Sequence, residues 1–157
     1  AERLSPGEIA ALERADPERF EALQKTCGVH FAADPCHSSC NQLFNCGAGN
    51  DSFNVSYNGL FRLCPSLWHP DCVYDLKRGN LREAWQTFIP KVWGMRSGSK
   101  EFLDKCQTCS IVDLCMMCPG NAHLETGAMD TPVEYFCRVA HARAQILGQT
   151  AATNPYR

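Results

Sequence analysis

Eleven cysteines stand in a chain of 157 residues, none before Cys27 and none after Cys137. The densest stretch runs Cys106-Gln-Thr-Cys109-Ser-Ile-Val-Asp-Leu-Cys115-Met-Met-Cys118-Pro119. Its four thiols within thirteen residues cannot all pair as unstrained disulfides, because short loops oppose the Cα separation and dihedral that the bond requires. Two thiolates three positions apart can instead point at one metal atom, or at neighbouring irons of a cluster. Zinc ribbons use the same C-x-x-C pairs but separate them by about 15–20 residues, enough for a hairpin. Here five residues intervene, and further cysteines lie upstream and downstream, which favours an iron–sulfur core over structural zinc or disulfides. A dithiol redox reading of C-x-x-C requires a surrounding strand–helix unit, and none is legible.

The elements that must position these thiols read from local signals. Ser5-Pro6-Gly7-Glu8 is a capping box with Pro at the first helical position. Asp16-Pro17 restarts the pattern, Phe20 and Leu23 share one face, and Cys27-Gly28 offers a left-handed stop. Residues 28–51 read as irregular chain broken by Pro35, Gly47 and Gly49, the kind of loop that metal ligation restrains. Phe53, Val55 and Tyr57 alternate with polar residues, Asn58-Gly59 predicts a two-residue type I′ turn, and Leu60–Leu63 returns. That register sets Tyr57 across from Leu60 and Phe53 across from Cys64, and it brings Cys46 and Cys64 together. Asn80-Leu81-Arg82-Glu83 predicts a capped helix carrying Leu81, Trp85 and Phe88, which Pro90 ends or bends. A helix from Ser99 to about Lys105 leads into Cys106. Thr131-Pro132-Val133-Glu134 predicts the cap of a last helix that reaches Leu147, stops at Gly148 and carries Cys137 in its second turn.

Composition narrows the function. The net charge is −2, from 15 basic and 17 acidic side chains, and the basic residues are scattered, so no nucleic-acid partner is expected. Glu2, Glu8, Glu13 and Glu18 in an amphipathic opening exclude a secretory signal there, and no apolar run approaches the roughly 18 residues that span a bilayer. An odd number of cysteines without an export signal points to metal thiolates in a reducing cytoplasm. The chain opens on Ala rather than Met, which leads to the expectation of a processed or excised segment.

Cys46, twelve residues, Gly59, four residues, Cys64, then Cys106-x2-Cys109-x5-Cys115-x2-Cys118, then Cys137, resembles a SPASM domain. This is the auxiliary-cluster extension at the C-terminus of many radical S-adenosylmethionine enzymes. Gly79-Asn80-Leu81 followed by Trp85 is similar to the family's segment between the two cysteine groups, and the likeness covers about residues 40 to 140. One spacing departs: two residues separate Cys115 from Cys118 where the family usually has three. Pro119 after Cys118 resembles the Cys-Pro ending of bacterial ferredoxin runs, in which the last cysteine serves the other cluster. The resemblance implies two 4Fe–4S clusters, the first on Cys40, Cys46, Cys64 and Cys118, the second on Cys106, Cys109, Cys115 and Cys137. Cys27, Cys36 and Cys72 remain as buried or free thiols, with Cys36 the nearest substitute ligand.

The resemblance further implies a small α+β fold, one β-hairpin plus several short helices organised around two metal clusters. Its parts are an N-terminal helical arm at 1–27, the SPASM-like domain at 28–148 and a tail at 149–157. Two clusters ligated wholly by thiolate have no open iron, so their expected work is electron transfer and support of a peptide or protein substrate beside a radical S-adenosylmethionine barrel. Cys36-His37-Ser38-Ser39-Cys40 begins the C-x3-C-x2-C motif of the catalytic cluster, but position 43 is Leu. The chain is therefore not expected to bind S-adenosylmethionine or to be active alone. Alternatives are a stand-alone ferredoxin-like electron carrier and a zinc-stabilised interaction module.

Other side chains carry weaker signals. His37 reads as a solvated loop residue, and His69, His123 and His141 lack partner spacing. Trp68, Trp85 and Trp93 read as core or interface, Met116 and Met117 as soft apolar cover over a cluster. Asp71 or Asp75 would be the nearest base.

Overall fold

Ser5 opens the chain's first helix as a reciprocal cap. Its Oγ accepts from the Glu8 N–H at 3.3 Å, and its own N–H donates to the Glu8 carboxylate at 2.7 Å. Helix α1 then spans Pro6–Ala15. The Asp16 carboxylate accepts from the Arg19 N–H at 3.0 Å and starts α2, Pro17–Thr26. The computed structural model describes residues 3–26, 41–44, 46–115 and 117–148. Expectations attached to Cys27, Gly28, Cys36, His37, Cys40, Met116 and residues 149–157 lie outside the described residues.

Three short strands, β1 Asn54–Val55, β2 Leu60–Arg62 and β3 Tyr74–Asp75, form an antiparallel sheet in the order β1-β2-β3. The hairpin is present, but its turn differs from the expectation. Asn54 pairs with Arg62 and Val55 with Phe61, so Tyr57, Asn58 and Gly59 form a three-residue loop. A type I′ turn needs positive φ at both central residues. Gly59 supplies it at 83°, but no described residue other than glycine does. Asn58 instead accepts from the Ser56 Oγ at 2.7 Å, and the Gly59 N–H closes on the Ser56 carbonyl at 2.8 Å. The register shifts by one, which sets Phe53 across from Leu63 rather than Cys64. Strand β3 pairs Tyr74 with Phe61 and Asp75 with Leu60; it is too short to announce itself in sequence.

Helix α3 is one continuous rod in three stretches: α-helical Leu81–Glu83, π-helical Ala84–Phe88 and α-helical Ile89–Trp93. The Asn80 side chain caps it by accepting from the Glu83 N–H at 3.0 Å. Pro90 does not end it. The π register sends the Ile89 N–H to the Ala84 carbonyl, and Pro90 falls at the restart of the α turn, where no donor is required. Helix α4 spans Lys100–Lys105, α5 Pro119–Thr126 and α6 Glu134–Ile146. Short 3-10 turns occupy Pro70–Cys72 and Val112–Leu114. Thr131 does not cap α6. Val133 takes the cap position in extended conformation, φ −101° and ψ 112°, with no side-chain cap bond.

The chain divides into two compact units, each discontinuous in sequence. The first contains α1, α2, α4, the segment from Lys100 to Cys115, and α6. Its core is Leu23, Ile111, Leu114, Ala140 and Ala144, with Cys109, Cys115 and Leu147 packed against it. Helices α1 and α6 lie along one another within this unit. The second contains the sheet, α3 and α5 and buries Phe61, Leu67, Cys72, Ile89 and Val92. The fold is small α+β, and among the described residues no helix is long and apolar enough to cross a membrane.

Candidate metal centres

In the second unit, three elements carry Cys46, Cys64 and Cys118. Cys46 enters a turn in which the Asn50 N–H donates to the Gly47 carbonyl at 3.1 Å. Trp93 Nε1 donates to the Ala48 carbonyl at 2.9 Å. Gly49 has φ 86°, and a Cβ there would stand 2.9 Å from Leu63 Cγ. The Cys46 turn thus lies directly on the residue before Cys64. Gly49→Ala should lower stability by about 2 kcal/mol, the usual strain of a left-handed non-glycine residue, read as a fall in denaturant midpoint at unchanged slope.

Cys118 is the N-cap of α5: its Sγ accepts from the Asn121 N–H at 3.3 Å, with Pro119 in the first turn. A Cβ on Gly120 would stand 2.9 Å from the Ser66 carbonyl oxygen, so the start of α5 presses on the turn that follows Cys64. Burial pushes the Cys118 thiol up, the N–H groups of Asn121 and Gly120 oppose this, and the Cys64 and Cys46 thiolates raise it further. These three sulfurs share one electrostatic environment.

In the first unit, α4 delivers Cys106, whose N–H donates to the Phe102 carbonyl at 2.8 Å. The chain then turns back on itself: the N–H of Cys109 reaches the Cys106 carbonyl at 3.3 Å and that of Cys115 the Val112 carbonyl at 2.9 Å. Cys137 comes from the first turns of α6. Burial, with Cys115, Cys109, Cys137 and Glu101 adding to it, pushes the Cys106 thiol up to about 12. Burial, then Cys109 and Cys137, pushes Cys115 up to about 11, against the lowering effect of the Met117 N–H and Arg143. Cys137 is raised by burial first and by Cys109 next among its causes.

The sequence grouping therefore finds its described members in two sets. Cys46, Cys64 and Cys118 lie in one unit; Cys106, Cys109, Cys115 and Cys137 lie in the other. All are free thiols. Ionising several neighbouring, half-buried thiols is opposed by desolvation and mutual repulsion, unless a cation compensates. A positively charged iron–sulfide core would compensate, and the N–H bonds to sulfur, Asn121 to Cys118 and Met117 to Cys115 at 3.4 Å, are of the kind that orient cluster thiolates. Thiolate is the donor type such a group takes, and the described residues supply three in one unit and four in the other besides Cys72. Among the described residues no three His, Cys, Asp or Glu side chains are set to hold a single metal ion.

The remaining sequence candidates separate cleanly. Cys72 is fully buried, its Sγ 3.8 Å from Met95 Sδ and 3.6 Å from Met129 Sδ. Burial first, then Asp71 and Cys64, pushes its thiol up to about 12: it is a core thiol. His69 and His123 meet edge to face, rings 4.9 Å apart. Asp71 is exposed beside His69, and the Asp75 carboxylate accepts from the Lys77 N–H at 2.9 Å, a turn cap. His141 is held below the ordinary histidine value by burial. Trp85 packs edge-on against Phe53 at 5.7 Å. Gly79 is needed because the Tyr74 hydroxyl occupies the place of a Cβ.

Two buried arginines carry no signal in the sequence. Arg143 makes a bidentate pair with Glu13, at 2.8 and 2.7 Å, and donates to the Leu114 carbonyl at 2.8 Å. Arg62 donates to the Asn54 side-chain oxygen at 2.7 Å and to the Pro65 carbonyl at 3.0 Å. Burial lowers its pKa and the Cys64 thiolate raises it. Comparison of the chain with family models, curated proteins and solved structures gives no match.

Proposed function

We propose that the chain holds two 4Fe–4S clusters, one on Cys40, Cys46, Cys64 and Cys118, the other on Cys106, Cys109, Cys115 and Cys137. In this reading it is the auxiliary-cluster domain of a radical S-adenosylmethionine enzyme that modifies a peptide or protein in the reducing cytoplasm. One observation supports the pairing of ligands: of the described cysteines that the SPASM likeness groups, Cys46, Cys64 and Cys118 lie in one unit and Cys106, Cys109, Cys115 and Cys137 in the other. When bound, each cluster supplies a one-electron centre with no iron left open to substrate.

The residues divide the work. The Gly49 and Gly120 contacts hold Cys46 and Cys118 against the segment that carries Cys64. The N-terminus of α5 directs N–H groups and a positive dipole end at the Cys118 sulfur, which favours its thiolate. The Leu114 carbonyl, held by Arg143, fixes the residue before Cys115. Electron transfer to or from a radical site, and support of the peptide substrate, follow from the SPASM likeness.

Anaerobic purification with iron, acid-labile sulfide and zinc analysis tests the metal reading. The expected result is about eight irons and about eight sulfides per chain, as two 4Fe–4S cores require. Zinc without sulfide in protein never exposed to air overturns it. A barrel carrying C-x3-C-x2-C upstream in the same gene distinguishes an enzyme domain from a free electron carrier.

A further inference from the structure

Arg62 is 3% exposed, and arginine is rarely so buried without an anionic partner. Its partners here are neutral: the Asn54 amide oxygen at 2.7 Å, the Pro65 carbonyl at 3.0 Å and the Trp68 ring, whose centroid lies 3.4 Å from the guanidinium carbon. Its Nε–H is buried with no partner at all. A full positive charge is thus held in a desolvated place by groups that orient it without neutralising it. The residue stands two positions before Cys64. Arg143, in the other unit, differs: its charge meets the Glu13 carboxylate at 2.7 Å.

We propose that Arg62 is the built-in counter-charge of the cluster on Cys46, Cys64 and Cys118, and that it sets that cluster's reduction potential above the potential of the other. The inference rests on the cluster reading above. A core ligated by four thiolates is net negative and gains a further negative charge when it accepts one electron. A buried, unneutralised cation beside it stabilises the reduced form more than the oxidised form and raises the potential. Beside the second set the cations are paired with carboxylates, Arg143 with Glu13 at 2.7 Å and Lys105 with Glu101 at 2.8 Å.

Redox titration of the anaerobically reconstituted chain, with dithionite as electron donor and electron paramagnetic resonance as readout, tests this. Arg62→Gln removes the charge. Asn54→Asp keeps Arg62 and its packing and places a carboxylate on the guanidinium. Both variants should lower one of the two midpoints by at least a tenfold change in the one-electron equilibrium constant, 59 mV. The other midpoint should stay in place, and Arg62→Lys should keep both near the wild-type values. Should Arg62→Gln lose a cluster, Asn54→Asp decides alone. Two clusters whose potentials ignore Asn54→Asp, or move together, overturn the inference and leave the cluster reading standing. Wild-type protein without iron and sulfide removes the cluster reading itself, and this inference with it.

Discussion

Cys106→Ala should bind about half of the wild-type iron and sulfide, and Cys46→Ala should lose the other half, because in the proposed arrangement each thiol serves one core and metal binding is local to its ligand set. Cys106 feels Cys115, Cys109 and Cys137, whereas the described thiols that bear on Cys118 are Cys64 and Cys46. Removing Cys106 takes one corner from the first unit and leaves the Gly49–Leu63 and Gly120–Ser66 contacts of the second untouched. Cys72→Ala supplies the control: that sulfur is enclosed by Met95 and Met129, so both cores should remain at full occupancy. The measurement is iron and sulfide per chain, with Mössbauer or paramagnetic signals counting the clusters. Equal loss of both cores from Cys106→Ala and Cys46→Ala would reject the grouping.

How far the sequence reaches can be judged element by element. Ser5, Asp16 and Asn80 start helices as read, because a cap is settled by residues within one turn of it. Gly59 marks the hairpin, but a dipeptide does not fix loop length; Asn58 keeps a negative φ and hydrogen-bonds Ser56, so the register moves by one. Thr131 fails as a cap because Val133 is extended and buried at 9% exposure, a tertiary preference that overrides a local signal. Helix α5 begins at Pro119, and Pro at the first helical position is its one local start signal, because the cap is a cysteine rather than a Ser, Thr, Asp or Asn. The grouping of the cysteines follows from the SPASM likeness; of its described members, Cys46, Cys64 and Cys118 lie in one unit and Cys106, Cys109, Cys115 and Cys137 in the other. Strand β3 and the two buried arginines depend on partners distant in sequence. Arg143 and Glu13 are 130 positions apart, and Arg62 is buried by Asn54, Pro65 and Trp68.

Glu13→Gln tests the long-range tie in the first unit. Arg143 is 5% and Glu13 11% exposed at the side chain, so the substitution removes a carboxylate from a buried guanidinium, at a cost of about 3 kcal/mol. Arg19, 3.2 Å from the same carboxylate, is half-exposed and adds little. Burial by itself would push the Glu13 carboxyl up; the bonds and charges of Arg143 and then Arg19 overcome it and hold it below the ordinary value. A depressed folded value means that the pair's stabilisation is fully present above the unfolded carboxylate value, about 4.3, and is lost as pH falls through the lower folded value. Wild type and Glu13→Gln should therefore differ most at neutral pH and converge as pH falls from about 4.3 through the lower folded value. Denaturant unfolding followed by helical circular dichroism reads both limits. A gap that persists unchanged however far the pH is lowered would mean that Glu13 acts through packing rather than charge. Because Arg143 also holds the Leu114 carbonyl at 2.8 Å, loosening it should free the Cys115 turn as well. Glu13→Gln should then release iron faster to a chelator at neutral pH, from one cluster of the two.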